Sequence, residues 1–383
     1  MSESLFPIEV QFNSSPDPVR ANLLGFDRES LEQFFISIGE QGFRASQLLK
    51  WMHQQGVLDF AEMTNLSKTL RLKLAQSCEL ILPKIIEDKL SVDGTRKWLL
   101  QVPGKSAIEM VFIPEESRGT LCVSSQVGCT LDCSFCATGK QGYNRDLTTA
   151  EIIGQVWLAK KLLAEQYQTD ARIISNIVMM GMGEPLMNFD NVVKAMRIMQ
   201  DDYCYGLSRR RITLSTAGVV PKIDALKESC PVSLAVSLHA PNDALRNQLV
   251  PLNRKYPIKE LIAACNRYVA DAPRARITFE YVMLEQVNDE LEHAKQLVGL
   301  MSSVPGKVNL IPFNTFDGID FTRSSNARIN RFRDILHAAG VIVTVRRTRG
   351  DDIEAACGQL AGDIMDRTRR AEKFRQKRAE KIE

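Results

Sequence analysis

The chain has 383 residues, 44% of them hydrophobic and 25% charged, a balance that excludes global disorder and leaves room for two to three domains. Formal net charge is +3, and the last 18 residues alone carry eight basic against four acidic side chains, so this basic tail reads as a solvated helix end or a polyanion contact. No run of about 18 apolar residues occurs, so no membrane span is expected. The first residues lack a basic start followed by an apolar stretch, which predicts a cytoplasmic chain.

Residues 1–24, with Pro7, Pro16 and Pro18, read as a flexible lead-in. Over residues 25–82 apolar positions recur at three and four (Leu31, Phe34, Phe35, Ile38, then Leu48, Leu49, Met52, then Leu66, Leu70, Leu74), which predicts a small helical domain. Gly39 and Gly42 permit a helix-hairpin-helix-like turn there. Residues 83–117 change to a strand pattern with a hairpin signal at Asp93–Gly94, a strand-rich connector forming a β-hairpin extension.

From residue 118 to 348 strand and helix patterns alternate. The runs LCVSS (121–125), IISNIVMM (173–180), RITLS (211–215), VSLAVSL (232–238), ITFEYVML (277–284) and VNLIPF (308–313) read as six buried strands. Helices are expected between them, the clearest over 148–166, where Thr148 and Glu151 form a capping-box pattern. The fold class is therefore α/β, a partial (β/α)6 barrel with parallel strands, right-handed crossovers and a site at the strand C-terminal ends. A seventh run, VIVTVRR (341–347), follows, and residues 349–383 form a C-terminal loop and the tail.

The nine cysteines are too sparse for a disulfide scaffold. Cys129, Cys133 and Cys136 lie within CTLDCSFC on the loop after the first barrel strand. Three thiolates on one loop can hold three irons of a 4Fe-4S cluster and leave the fourth iron open. Structural zinc is the alternative, but it generally needs four ligands in paired spacing, and no second pair or nearby His is present. Cys78, Cys204, Cys230 and Cys265 read as packing residues.

The C-x3-C-x2-C pattern, with Phe135 before the last cysteine, resembles the radical S-adenosylmethionine (SAM) superfamily. MGMGEP (180–185), STAG (215–218), SLHAPND (237–243), PFN (312–314) and RTRGDDIEAACGQL (347–360) narrow the resemblance to the adenine-C2 RNA methyltransferases that act on ribosomal and transfer RNA. It spans about residues 25–365. It implies one 4Fe-4S cluster on Cys129, Cys133 and Cys136. It implies two SAM molecules per turnover, one as methyl donor and one as radical source. Gly183, Glu184, Ser215, Ser237, Leu238, His239 and Asn314 would bind SAM.

The resemblance further implies that Cys357 carries the methyl group as S-methylcysteine, that Cys122 resolves the protein–RNA adduct through a disulfide, and that Glu109 accepts the C2 proton. Such equipment suits the target: C2 of adenine, between two ring nitrogens, is electron-poor, so a carbon radical must attack it. The implied partners are 23S rRNA, tRNA and an electron donor such as flavodoxin, with the chain a monomer. An RNA substrate gives the helical domain, Arg209–Arg211, residues 346–349 and the tail the role of candidate phosphate contacts.

Overall fold

A computed structural model describes residues 20–379 apart from 105, 170, 171, 273, 357, 361 and 363. The lead-in therefore lies almost wholly outside the described residues, as does Cys357.

The N-terminal unit comprises α1 (Arg28–Ser37), α2 (Arg44–Leu49), which runs on into a π-helical turn, and α3 (Lys68–Ser77). Asp27 caps α1 and Ser67 caps α3, and Leu31, Phe35, Leu48, Leu49, Leu70 and Leu74 fill the space between them. Residues 20–24 belong to this unit rather than to the lead-in. Ala21 and Asn22 pair with Cys78 and Glu79, and Leu23 and Leu24 are fully buried, because the apolar pair is needed to close the small core.

The remaining chain is built on one sheet of ten strands. Three are antiparallel: β1 (Lys84–Leu90), β2 (Arg96–Val102) and β3 (Ser106–Glu115). The next, β4 (Arg118–Cys122), runs antiparallel to β3 and parallel to β5 (Asn176–Met179). Parallel pairing continues through β6 (Ile212–Thr216), β7 (Ser233–Ser237), β8 (Ile277–Met283), β9 (Gly306–Pro312) and β10 (Val343–Val345). The predicted hairpin is thus continuous with the barrel sheet.

The helices are α4 (Ala137–Gln141), α5 (Thr149–Tyr167), α6 (Phe189–Gln200), α7 (Val220–Ser229), α8 (Asp243–Leu249), α9 (Ile258–Val269), α10 (Leu291–Met301) and α11 (Asn326–Ala338), with α12 (Arg370–Ala379) in the tail. The longer ones cover the outer face, and α4 and α8 lie in loops at the strand C-terminal ends. The capping box at the start of α5 is present in both directions. Strand side chains alternate between faces. Those under the helices, such as Ile177, Leu214, Val236, Phe279, Tyr281 and Leu310, are buried in the core. Those on the inner face include many small or polar residues: Cys122, Thr213 and Ser233 lie in register around Val178, and Ser237, Glu280 and Asn309 lie side by side, with Val282 and Ile311 lining the cavity beyond them. The main apolar core therefore lies between sheet and helices, and a smaller apolar cluster around Phe135, Val282 and Phe313 borders the cavity at the strand ends.

The helical unit docks on the outside of α5 and on the loop after α6. Trp157 donates to Met52 O (2.8 Å) and Lys160 to His53 O (2.7 Å), while Arg28 grips both carboxylate oxygens of Asp201 at 2.7 Å.

Candidate active site at the strand ends

The first barrel strand stops at Cys122 instead of running to residue 125: Val123 N–H still reaches Val178 O (3.0 Å), but the two donors after it are used elsewhere. Ser124 N–H reaches Gln155 Oε1 (2.8 Å) and Ser125 N–H reaches Met182 O (2.8 Å). The chain then forms a short strand, Gln126–Gly128, paired with Tyr143–Asp146. Between these two lie the three cysteines and α4, which starts directly after Cys136. The loop closes where Cys129 N–H meets Gly142 O (2.8 Å). A Cβ on Gly128, which has φ +80°, would meet that same oxygen at 2.2 Å, so the closure requires glycine.

The three thiols line one cavity with Gly183, Glu184, Ser215, Ser237 and His239. Burial pushes the Cys133 thiol up to about 12 and that of Cys129 well above its ordinary value. Without a cation beside them these sulfurs keep their protons, and cation binding displaces them. Among the described residues no three His, Cys, Asp or Glu side chains are arranged to hold a metal ion. The thiols occupy the wall of a cavity, as a multi-iron cluster requires, and Leu131 N–H already points at Cys129 Sγ (3.4 Å), a contact of the kind that tunes such clusters. The donor set fits a 4Fe-4S cluster with one open iron.

Opposite the loop, Glu184 is buried at the start of a short helical turn. Its Oε1 accepts from Leu186 N–H (3.1 Å) and its Oε2 from Ala217 N–H (2.7 Å). It therefore does cap a helical turn, and it also lines the cavity. Burial outweighs these hydrogen bonds and pushes its carboxyl up to about 7. Gly183 adopts φ +101°, and a Cβ there would lie 2.6 Å from Gln126 Cβ, so no larger residue lets the backbone approach here. His239 is buried beside Phe135 of the cysteine loop, ring centroids 4.6 Å apart. Its Nδ1 accepts from Val282 N–H (3.1 Å), and burial holds its pKa down at about 3. The ring is neutral, with its proton on Nε2.

Two of the expected SAM contacts lie outside this cavity. The Leu238 side chain is fully buried in the core, and only its backbone faces the strand ends. Asn314 opens on a neighbouring cleft with residues 346–349, Ala355 and Ala356, where Thr348 Oγ1 donates to it at 3.3 Å.

Cys122, Val111, Glu109 and Lys97 share the inner face by register. Lys97 Nζ is 3.0 Å from Glu109 Oε1, with both side chains 7% exposed, and also donates to Glu354 O (3.2 Å). The C-terminal loop thus lies over this face. On one side of position 357, Ala356 is buried. On the other, Gly358 lines the cavity and its carbonyl accepts from Ala137 N–H (2.8 Å). Of the basic runs, Arg346 borders the cavity, whereas Arg209–Arg211 precedes β6 at the opposite end of the strands, roughly 15 Å away.

Several residues at the site carried no sequence signal of their own. Fully buried Arg246 donates to Ala217 O (2.6 Å), Ser237 O (3.0 Å) and Leu238 O (3.0 Å), tying two strand ends together. Gln126 Oε1 accepts from Glu184 N–H (3.0 Å). Arg246 sits at a helical position where an arginine is ordinarily solvated.

Known proteins are similar to this chain. Residues 21–80 match the family model of the ribosomal RNA large subunit methyltransferase N-terminal domain, and residues 123–298 match that of the radical SAM superfamily. A crystal structure of a radical SAM methyltransferase from Sphaerobacter thermophilus is 45% identical, with a TM-score of 0.83, covering 89% of this chain and 99% of that one. SuiB of Streptococcus suis, in a structure bound to S-adenosylmethionine, is 14% identical over 60% of this chain and 50% of its own, with a TM-score of 0.44.

Proposed function

Because this chain belongs to the radical SAM methyltransferases, in the RlmN-type branch with the ribosomal RNA methyltransferase N-terminal domain, we propose that it methylates C2 of an adenosine in 23S rRNA and in tRNA. The observation that carries the reading is the shared cavity: three thiols, a buried carboxylate and the residue following Cys357 line one space at the strand ends.

Bound there, a 4Fe-4S cluster on Cys129, Cys133 and Cys136 and SAM supply an organic radical that removes a hydrogen atom. The residues of the chain do the rest. Glu184, with its remaining lone pairs, accepts the ammonium of SAM, and Gly183 lets the backbone come close. Ser215, Ser237 and His239 hold the ribose and adenine, with the backbone of Leu238 and the amide of Asn314 at the edge. Cys357 takes a methyl group from a first SAM by displacement and presents it, as S-methylcysteine, to a second. Once its carbon is joined to C2, the adduct would return one electron to the oxidised cluster and Glu109 takes the proton from C2. Cys122, as thiolate, attacks the Cys357 sulfur; the carbon–sulfur bond breaks with its electron pair left on carbon, which takes up a proton to become the C2 methyl group, and a Cys122–Cys357 disulfide is left for cellular thiols to reduce. C2 faces the minor groove in a duplex, so the adenosine enters unstacked, steered by the basic rim at Arg346–Arg349 and the helical unit. A flavodoxin-type protein would donate the electron. Among the described residues no helix is long and apolar enough to cross a membrane, and we assign a cytoplasmic monomer.

The anaerobically reconstituted protein, given SAM, a reductant and either tRNA or a 23S rRNA fragment, is expected to yield 2-methyladenosine on nucleoside digestion and mass spectrometry. Only 8-methyladenosine, or no methylated adenosine, would overturn the assignment.

A further inference from the structure

The tail is not simply a solvated basic helix. From residue 358 onward it is stitched to the cysteine loop. Thr138 Oγ1 donates to Leu360 O (2.6 Å), Gln141 Nε2 to Gly362 O (2.9 Å), and Asn144 Nδ2 to Met365 O (2.6 Å). Asp366 then accepts from Tyr143 N–H (3.2 Å) and, on its own side, from Thr368 N–H (2.7 Å) and Ala371 N–H (2.9 Å). This turns the chain so that α12 begins against α4.

The first residue of α12 is Arg370. Its Nη1 donates to Leu131 O (2.6 Å) and Gly139 O (3.3 Å), and its Nη2 donates to Cys129 O. Two of these carbonyls precede the Cys133–Cys136 turn and one follows it. A single planar guanidinium therefore bridges both limbs of the loop, which the one-point ammonium of a lysine cannot do.

We propose that Asp366 and Arg370 form a clasp that fixes the shape of the three-cysteine loop and fastens it to the segment bearing Cys357. Two parts of the site far apart in sequence are thereby held in register: the loop that would carry the cluster and the loop that would carry the methyl group. Arg370 is a positioning residue, acting through the backbone of Cys129, Leu131 and Gly139. The cluster half of this inference rests on the proposed function; the ordering of the loop does not.

The test uses the full chain with Arg370→Ala and Arg370→Lys, and Arg375→Ala as a control that removes an equal charge from an exposed position of α12. Amide hydrogen exchange of the metal-free proteins reads the loop directly. Residues 129–146 are expected to exchange about tenfold faster in Arg370→Ala, less so in Arg370→Lys, and at the wild-type rate in Arg375→Ala, with residues 21–80 unchanged in all. After anaerobic reconstitution, Arg370→Ala should also lose iron to a chelator several-fold faster than the control. Equal loop exchange in Arg370→Ala and Arg375→Ala would overturn the clasp. Faster exchange with unaltered iron loss would overturn its part in holding the cluster. A wild-type chain that takes up no iron would refute the functional reading, and the exchange data would still decide the clasp.

Discussion

Cys122→Ala should accumulate RNA covalently joined to the protein. In the proposed sequence the bond from the Cys357 sulfur through one carbon to adenine C2 forms before Cys122 acts, so everything up to that adduct proceeds and only release fails. The register supports the role: Cys122 is on the inner sheet face beside Val111 and Val178, and the C-terminal loop reaches that face at Glu354, whose carbonyl accepts from Lys97. A cysteine there purely for packing behaves otherwise. It sits at a strand end, 6% exposed, and its loss to alanine would cost about 1 kcal/mol of stability with normal turnover. A denaturing gel with labelled RNA, nuclease digestion and peptide mapping distinguish the two. The single variant is expected to give less than one product per enzyme and an adduct on Cys357. Cys122→Ala combined with Cys357→Ala should give none. Multiple turnover by the single variant would remove Cys122 from the reaction.

Glu184→Gln should show two large effects of opposite kind. A buried carboxylate facing the SAM ammonium is a desolvated charge pair, so losing its charge should weaken SAM binding by about 2–4 kcal/mol, roughly 30- to 1000-fold. Stability of the SAM-free protein moves the other way with pH. Burial raises the Glu184 carboxyl from its ordinary 4.5 to about 7 in the folded chain, so the native state binds the proton more tightly than the unfolded one. The stability this confers is complete below 4.5 and is lost as pH rises to 7, by up to about 3 kcal/mol. Glutamine cannot ionise, and its amide nitrogen faces one of the two backbone N–H donors, a cost of about 1–3 kcal/mol that does not vary with pH. The buried neutral His239 and His53, both held down at about 3, add stability as pH rises in wild type and variant alike, so it is the wild-type-minus-variant difference in melting temperature of the SAM-free protein that is expected to fall between pH 4.5 and 7. Parallel curves would mean that Glu184 is not the titrating group.

What the sequence made legible follows the range of the interactions involved. Helix α5 was readable because Thr148 and Glu151 cap it locally, and the barrel strands because each is an apolar run between turn residues. The cysteine loop was readable because its donors are neighbours in the chain. What could not be read is long-range. The end of β4 near Cys122 depends on Gln155 and Met182 capturing the N–H groups of Ser124 and Ser125. The distance of Arg209–Arg211 from the cavity depends on which end of a strand it precedes. Arg370 looks like one charge among many until the fold brings it to three carbonyls of a loop some 230 to 240 positions earlier. Leu238 shows a further limit, since a residue inside a binding pattern can contribute its backbone while its side chain belongs to the core.

The most direct test of the account follows the methyl group itself. The protein is incubated anaerobically with methyl-labelled SAM, without RNA, and digested for peptide mass spectrometry. One labelled methyl group is expected on the peptide containing Cys357 and none on that containing Cys122, and the label should pass to adenosine C2 when RNA is added. Formation of 2-methyladenosine with Cys357 never methylated, or methyl transfer that survives Cys357→Ala, would contradict it.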